Sequence, residues 1–525
     1  MTRCQPVTVR SRRLAAATVC LLASLATSLA AQQRAPQPDL SRLDAYFEMA
    51  RSAWEVPGLA VAVLHRGKAV LAKGYGVRER GKTEAAGPDT LFAIASNTKA
   101  FTAATVAILV EEGKLKWDTR VADLLPGFQI FDPYVTAELR VDDLFCHRAG
   151  FRTFSGDLLW LGTPYDRKEI LRRARYLRPW GRFRASYGYS NLMYLAAGEI
   201  VATLAGKSWE EFVRERLIEP LGMKRTVLSV KDVAARGDVA MPHGVYGNGN
   251  EPIEWSNWDI MAPAGGIISS VNDMSRWLLL QLGGGTLDGR KYFSEESQRR
   301  MWILHNPLSL TEEARKRNPH THFTGYGLGW ALSDYRGRLT CQHGGAYEGM
   351  ASRVALMPEE GLGIVVLTNS NNNVAPALVN RTFDEFLGAP ERDWSGEYLE
   401  RFRKSAAESR QRVQAMEKPP AGPVRPAAPL NAYAGRYGGP LYGDATVSVE
   451  NGRLVLRLLP NPQLAADLEH RDADVFLLRW RRKFNMFGAG SVQFLTDGSG
   501  KVTEFRLDVP NEDFWFDELE FKRLE

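Results

Sequence analysis

Strand-like patterns stand at both ends of one long segment of this chain, and the stretch between them is helical. "PGLAVAVLHRGKAVLAKGYGV", beginning at Pro57, reads as two strands around a turn at Arg66-Gly67. Strand signals return near Gly327 to Leu332, at Arg353 to Met357 and at "GIVVLT", Gly363 to Thr368. From Ser96 to about Leu282 the apolar spacing is mostly helical, with long polar connections, and Leu40 to Trp54 and Val374 to Leu387 are helical as well. The ends must come together for the strands to share one sheet. The inserted helices then form a second lobe, and the cleft between lobes is the natural place for a site. The expected fold is α/β and two-lobed: an antiparallel sheet flanked by helices, plus a helical lobe.

The 525 residues allow two or three domains at roughly 100–200 residues each. Glu391 to Lys418 is highly charged and helical in pattern, and the proline-rich "KPPAGPVRPAAPL" after it cannot continue a helix, which suits a semi-rigid linker. From Tyr433 the pattern is β. "ATVSVENGRLVLRLL" alternates around Asn451-Gly452, a type I′ hairpin signal, and "KVTEFRLDV" alternates after a turn beginning at Asp497-Gly498. The organisation predicted is a main domain over 40–390, a charged helix and linker over 391–430, and a small antiparallel, barrel-like β domain over 431–525.

The amino terminus reads as a signal peptide over 1–30. Arg3, Arg10, Arg12 and Arg13 precede an apolar stretch from Leu14 to Leu29, and Ser28-Leu29-Ala30 has the small-x-small pattern of a cleavage site. An exported protein, periplasmic or secreted, is expected, with no stable membrane anchor because the stretch is too short and poorly flanked to span well; an uncleaved membrane anchor is the alternative. Losing those four arginines brings the formal net charge from +6 to +2, which gives no electrostatic case for nucleic acid or an anionic membrane. Cys4 and Cys20 leave with the leader. Cys146 and Cys341 remain, either as a disulfide in an oxidising compartment or as two buried thiols.

Chemistry enters at "LFAIASNTKAFTA", where Ser96 precedes Lys99 by three residues in an otherwise apolar run. On a helix those two positions share a face. A serine hydroxyl is a poor nucleophile until a base takes its proton, and a desolvated lysine is such a base because burial favours its neutral form. The helix start also directs free N–H groups at whatever Ser96 attacks. A lone Ser-x-x-Lys is a weak signal, equally an N-cap serine with a solvated lysine. Two further elements strengthen it: Tyr189-Ser190-Asn191 in "ASYGYSNLMYLAAG" and His343-Gly344-Gly345 in "CQHGGAYEG". Seen singly, Tyr189 is as well read as a core tyrosine, Asn191 as a helix cap and His343 as a structural histidine.

In this order, and with "TLFAIASNTKAFTA", "LFCHRAGF", "APAGGIISSVNDM", "YGLGW" and "GIVVLTNS" around them, these elements resemble the serine β-lactamase/penicillin-recognising superfamily over roughly 40–387. The likeness is greatest to the branch of class C β-lactamases, D-stereospecific peptidases and related esterases. The resemblance implies that Ser96 is the acylated nucleophile and Lys99 its activating neighbour. It implies that Tyr189 shuttles protons to the leaving group and activates the deacylating water, while Asn191 holds Lys99 and the substrate amide. His343, Gly344 and Gly345 would edge the substrate cleft, with the backbone N–H groups of Ser96 and Ala346 as the oxyanion hole. No cofactor or metal is implied, and His320-x-His322 lacks the further ligands of a zinc site.

The sequence departs from β-lactamases at the strand motif, where His343 stands for lysine and Gly344 for a hydroxyl residue. Both changes weaken a carboxylate clamp, so small esters or amides with neutral ends are expected to be preferred over free acids. The expected activity is hydrolysis of an amide or ester, either a D-amino-acid peptide or amide or a small ester, with the substrate a small molecule or peptide of possible cell-wall origin. A true β-lactamase or DD-carboxypeptidase is the rival enzyme. A silent cell-wall-peptide binding protein is the rival from another class, and it has no need of Ser96, Lys99 and Tyr189 together. The C-terminal unit resembles a domain of uncharacterised function appended to such hydrolases, somewhat lipocalin-like, with no recognisable catalytic group. Its Trp480, Phe484, Phe487, Phe514 and Trp515 either line a cleft or fill a barrel, and the core reading is favoured.

Overall fold

The computed structural model describes residues 38–246, 249–419 and 424–524, together with residues 1, 2 and 422. The signal peptide read at 1–30, apart from its first two residues, lies outside the described residues, as do Cys4, Cys20 and part of the proline-rich linker. Among the described residues no helix is long and apolar enough to cross a membrane.

Numbering only the main sheet and the barrel, the sheet consists of β1 (Gly58–His65), β2 (Lys68–Gly76), β3 (Asn306–Leu308), β4 (Thr324–Tyr326), β5 (Ala331–Tyr335), β6 (Arg338–Tyr347), β7 (Met350–Met357) and β8 (Leu362–Thr368). Their order is β2-β1-β8-β7-β6-β5-β4-β3, antiparallel throughout. The first strands therefore pair with the last, as the bracketing pattern requires: Leu59 faces Thr368 and Val63 faces Ile364. β1 is apolar at nearly every position because both its faces are covered. Leu59, Val61 and Val63 pack with helices α1 (Leu40–Ala53), α5 (Ala375–Leu387) and the start of α6 (Trp394–Glu417), while Ala60, Ala62 and Leu64 join the core of the helical lobe. That lobe centres on α2 (Thr98–Glu111), α3 (Asn191–Ala205) and α4 (Val271–Leu282). α2 is buried almost all round, and Phe101 stacks on Trp277 with ring centroids 3.8 Å apart.

Where one strand was expected over Gly327 to Leu332, the structure has β4 and β5 with a turn between them. Gly329 sits there at φ +82°, and a β-carbon on it would lie 2.9 Å from the Lys99 carbonyl oxygen. The chain bends so that its backbone can press on α2, which apolar alternation does not report. The charged helix runs Trp394–Glu417, capped by the Asp393 side chain. Cys146 and Cys341 are free and buried, which closes the alternative left open above.

The C-terminal unit is a closed antiparallel barrel of β9 (Gly435–Gly439), β10 (Gly443–Glu450), β11 (Arg453–Leu458), β12 (Ala465–Asp472), β13 (Val475–Trp480), β14 (Gly490–Thr496), β15 (Val502–Asp508) and β16 (Phe521–Arg523). Asn451 and Gly452 both have positive φ, 50° and 76°, as a type I′ turn demands. Tyr433, Phe476, Phe494, Phe505 and Phe521 fill the inside.

The barrel docks against the segment that leads into the cleft. Tyr165 donates from its hydroxyl to the Tyr442 carbonyl (2.5 Å), and Asn461 donates to the Leu161 carbonyl (2.7 Å). The Trp515 indole N–H donates to the Thr153 carbonyl (2.5 Å), while Arg152 lies over the Trp515 ring at 3.2 Å and pairs with Asp517 at 3.1 Å. Glu518 accepts from the Ser155 hydroxyl (2.5 Å) and the Gly156 N–H (2.9 Å).

Candidate active site

Ser96 sits in a short 3-10 turn, Ala95–Asn97, that runs directly into α2. Ala95 is at φ +46°, a region that non-glycine residues rarely adopt, so the backbone is strained one residue before the hydroxyl. Lys99 follows in the first turn of α2, its side chain wholly buried. Its Nζ lies 3.0 Å from Ser96 Oγ, 2.8 Å from Asn191 Oδ1 and 2.8 Å from the Ala264 carbonyl oxygen.

That set of partners fits a neutral amine. Two N–H groups satisfy the two carbonyl oxygens, and the lone pair is left facing the Ser96 hydroxyl. Burial drives the group the same way: it brings the Lys99 ammonium down to about 7, against a smaller opposing pull from Asp157. Tyr189 is displaced in the other direction. Its buried phenol is raised well above its ordinary value, with the nearby Ser96 hydroxyl as the largest opposing effect. Lys99 Nζ lies 4.7 Å from the centroid of the Tyr189 ring. Of the two groups beside Ser96, burial favours the neutral amine of the lysine and the protonated phenol of the tyrosine.

Tyr189, Ser190 and Asn191 are placed by one helix start. Ser190 is the N-cap of α3, its side chain accepting from the Met193 N–H, so Asn191 is the first helical residue and not the cap. The Asn191 amide gives its oxygen to Lys99 and its N–H to Asp157 Oδ2 (2.6 Å). Asp157 is buried and lies outside the motifs read from sequence; burial raises its carboxyl to about 8 despite that hydrogen bond. His147 is a second residue the sequence reading passed over. Its Nδ1 accepts from the Ser190 N–H (3.0 Å), and its ring lies 4.1 Å from that of Tyr189, so it braces the tyrosine. The only sequence signal for it was its place in "LFCHRAGF".

β6 brings His343, Gly344, Gly345 and Ala346 along the cleft beside Ser96. Gly345 is required by close approach: a β-carbon there would stand 2.3 Å from both the Ile94 carbonyl oxygen and Ser352 Oγ. The strand can therefore lie against the chain just before Ser96. His343 is neutral. Its Nδ1 donates to the Gly344 carbonyl and its Nε2 accepts from the Tyr326 hydroxyl, each at 2.5 Å, and burial aided by the Lys99 charge pushes it down to about 3. With both ring nitrogens committed, His343 offers the cleft no cation.

A cation reaches the cleft from the next strand instead. Arg353, opposite Gly344 in the β6–β7 register, gives one N–H to Gln342 Oε1 (2.7 Å) and has no acidic partner among the described residues. Its guanidinium would lie 3.4 Å from a β-carbon on Gly344. The sequence pattern of β7 gave no reason to single it out.

The cleft encloses about 340 Å³ between Ser96, the sheet edge and the start of α5, and its outer wall comes from the barrel: Met486, Asp513 and Phe514. The aromatic residues of the barrel thus divide. Trp480, Phe484 and Phe487 pack on one another, Phe514 faces the cleft as well as Phe487, and Trp515 docks on Thr153.

A buried lysine beside a part-exposed serine, with a tyrosine, an asparagine and a glycine-rich strand around them, agrees with what comparison with known proteins returns. A family model described as Beta-lactamase matches residues 46–389. The chain belongs to the Beta-lactamase family. It is a serine hydrolase of that family, and a domain of unknown function (DUF3471) matches residues 419–523, which include the barrel. Among curated relatives, unguisins hydrolase ungD' of Aspergillus campestris is 33% identical over 77% of this chain and 76% of its own length. Penicillin-binding protein 4 of Amycolatopsis lactamdurans is 31% identical over 65% of this chain and 88% of its own. Among solved structures, the octameric penicillin-binding protein homologue from Pyrococcus abyssi matches with a TM-score of 0.59 at 20% identity, covering 92% of this chain and all of that one. A class C β-lactamase from Rhodobacter sphaeroides matches with a TM-score of 0.53 at 23% identity over 65% of this chain and 99% of its own. These two likenesses concern the fold.

Proposed function

We propose that the protein is an exported hydrolase that forms an acyl-enzyme on Ser96 and cleaves the amide or ester bond of a D-amino-acid peptide or amide, or of a small ester. The observation that carries this is the contact of 3.0 Å between Lys99 Nζ and Ser96 Oγ, with the lysine fully buried and brought down to about 7. Neutral Lys99 takes the Ser96 proton as Oγ attacks the carbonyl. The Ser96 and Ala346 N–H groups receive the oxyanion, and Tyr189 passes its proton to the leaving group while taking in its place the one that Lys99 received from Ser96. Water then releases the acyl group by the reverse proton path. A relative named for hydrolysing unguisins supports a hydrolytic role. Export rests on the arginine-led apolar leader and its small-x-small end. Neutral His343 and the absent hydroxyl at Gly344 favour substrates with uncharged ends.

The test is intact-protein mass spectrometry after treatment with a fluorophosphonate. Wild type is expected to gain one adduct and Ser96→Ala none. Labelling that persists in Ser96→Ala defeats the assignment.

One observation favours the second reading, a β-lactamase or DD-carboxypeptidase. Arg353 brings to the cleft a guanidinium without a carboxylate partner among the described residues, a ready anchor for a substrate carboxylate. Matched free-acid and neutral substrates separate the two. A preference for the acid of about tenfold or more that Arg353→Gln abolishes would establish the second reading.

A further inference from the structure

The face of the main sheet that packs on α1, α5 and α6 changes character along its strands. Over β1, β8 and the end of β7 it is apolar, with Val61, Ile364, Ala355 and Met357 in one core. Following the same alternation outward, that face carries Ser333 of β5, Gln342 and Gly344 of β6, and Arg353 of β7. A layer between sheet and helices is closed by apolar side chains, so a hydroxyl, an amide and a guanidinium placed there need partners.

A cavity of about 200 Å³ forms here, behind β6. Asn380 of α5, Tyr398 of α6 and Ala314 of the short helix Glu312–Arg317 bound it on the other side. Of the residues lining it, Arg353 and Pro376 also line the cleft at Ser96. Arg353 stands between the two chambers. Its Nη1 is the atom beside Gly344 on the cleft side, and Gln342, which accepts from its Nη2 (2.7 Å), lines the cavity.

Two guanidiniums of this region are under-used. The Nε of Arg353 is buried with no hydrogen-bond partner among the described residues, and so is the Nε of Arg317, which lies 5.7 Å from the centroid of the Tyr398 ring. The acids around them are taken. Glu397 pairs with Arg392 (2.6 Å), and Asp334 holds the His322 ring (2.6 Å) and the N–H groups of His322 and Phe323. Burial pulls the Arg353 guanidinium below its ordinary value, and the neighbour that opposes this is Tyr398, not a carboxylate.

A buried cation without a counter-charge is costly, and so is a buried donor without an acceptor. An oxyanion supplies charge and acceptors together, in the planar geometry that a guanidinium meets best. The other walls offer the Ser333 and Thr340 hydroxyls, the Asn380 amide and the Tyr398 phenol, which suit hydroxyl groups on the same molecule better than hydrocarbon.

We propose that the cavity behind β6 binds a small polar molecule bearing a carboxylate or phosphate group, with Arg353 against the oxyanion and Arg317 adding charge at the rim. The site is distinct from the cleft and does not depend on the acyl-enzyme reading.

The experiment is isothermal titration calorimetry of the full chain with D-gluconate, with inorganic phosphate, and with D-sorbitol as a neutral counterpart of gluconate. Wild type is expected to bind gluconate with a Kd of about 1 mM or tighter, and sorbitol at least about tenfold more weakly. Phosphate bound as tightly as gluconate, or more so, assigns the site to a free oxyanion; weaker phosphate assigns it to an oxyanion on a polyhydroxy molecule. Arg353→Gln should weaken binding by about tenfold or more and Arg317→Gln by about threefold. Ala314→Phe sets a ring in the cavity from the surface helix, leaves Arg353 and the cleft untouched, and should abolish binding. Melting curves show that each variant is folded, and the two surface-helix variants decide the matter should Arg353→Gln not fold. Failure of both anions to bind wild type, or sorbitol binding as well as gluconate, overturns the proposal. So does an affinity unchanged in either arginine variant, or anion binding that survives in Ala314→Phe and therefore belongs to the cleft.

Discussion

Ser96 and Lys99 reach the cleft from one helical turn, whereas Asp513 and Phe514 reach it from the far end of the chain, on a connection between strands of a separate barrel. The first pair is dry: Lys99 is fully buried, under the weight of the sheet edge and the core around α2. The second joins a part-buried Asp513 to a buried Phe514, and it is held by a docking contact of hydrogen bonds, one stacked arginine and apolar packing such as Phe514 near Trp160. The difference follows from what each region does. A lysine becomes a base only where water is excluded, so the floor must be the most rigid part of the molecule. A wall that only bounds the cleft needs no such dryness, and loops on a scaffold suffice.

The most damaging change to the floor is Lys99→Arg. Guanidinium stays protonated, so the serine loses its base, and kcat/KM is expected to fall by about a hundredfold or more in a steady-state assay. Near-normal turnover would mean that another group takes the proton, and the contrast between floor and wall would lose its basis.

A pH profile sharpens the comparison. The active form carries neutral Lys99, whose population grows as pH rises through about 7, so kcat/KM should climb through that value and level off above it. Asp157 pulls the other way in so far as its raised carboxyl is ionised, since a negative charge there favours the ammonium. Asp157→Asn removes that pull while its amide oxygen can still accept from Asn191, so the inflection should move to lower pH, by no more than about one unit. An inflection that moves upward, or none near 7, would show that Lys99 is not the titrating base.

The smallest effect is expected at the seam between the regions. Trp515→Phe keeps a ring over Arg152 and removes the donor to the Thr153 carbonyl, at a cost of about 1 kcal/mol. The melting temperature should drop by a few degrees at most. Thr153 Oγ1 also receives the Tyr189 N–H (3.2 Å), so the change can pass from seam to site. Michaelis–Menten kinetics should show KM rising more than kcat falls. A fall in kcat with KM unchanged would mean that the barrel supports the floor and not only the wall.

Much of this molecule was legible as sequence because it is local. The hairpin at Asn451-Gly452 needs two positive φ angles, and those two residue types adopt them most readily. The two-lobed fold followed from strand patterns at both ends of a helical insertion, and β1 pairs with β8 as that required. The turn at Gly327 to Trp330 was not legible, because a glycine pressed against the Lys99 carbonyl leaves no trace in apolar alternation. Nor was the role of His147, whose bracing of Tyr189 depends on a ring contact between residues on separate segments.

The sequence by itself determined which side chains stand together along one helix or one strand: Ser96 with Lys99, Tyr189 with Asn191, His343 with the two glycines. Spacing along a regular element is a matter of bond geometry, and bond geometry is fixed by the chain. Only the tertiary structure decided what those side chains are. Packing took the water from Lys99 and lowered it to about 7, engaged both nitrogens of His343 so that it stays neutral, and set Arg353 beside Gly344. It also brought Asp513, from far along the chain, into the cleft that Asp157 lines. Charge state and wall chemistry depend on which distant segments exclude solvent from a point in space, and no run of residues encodes that alone.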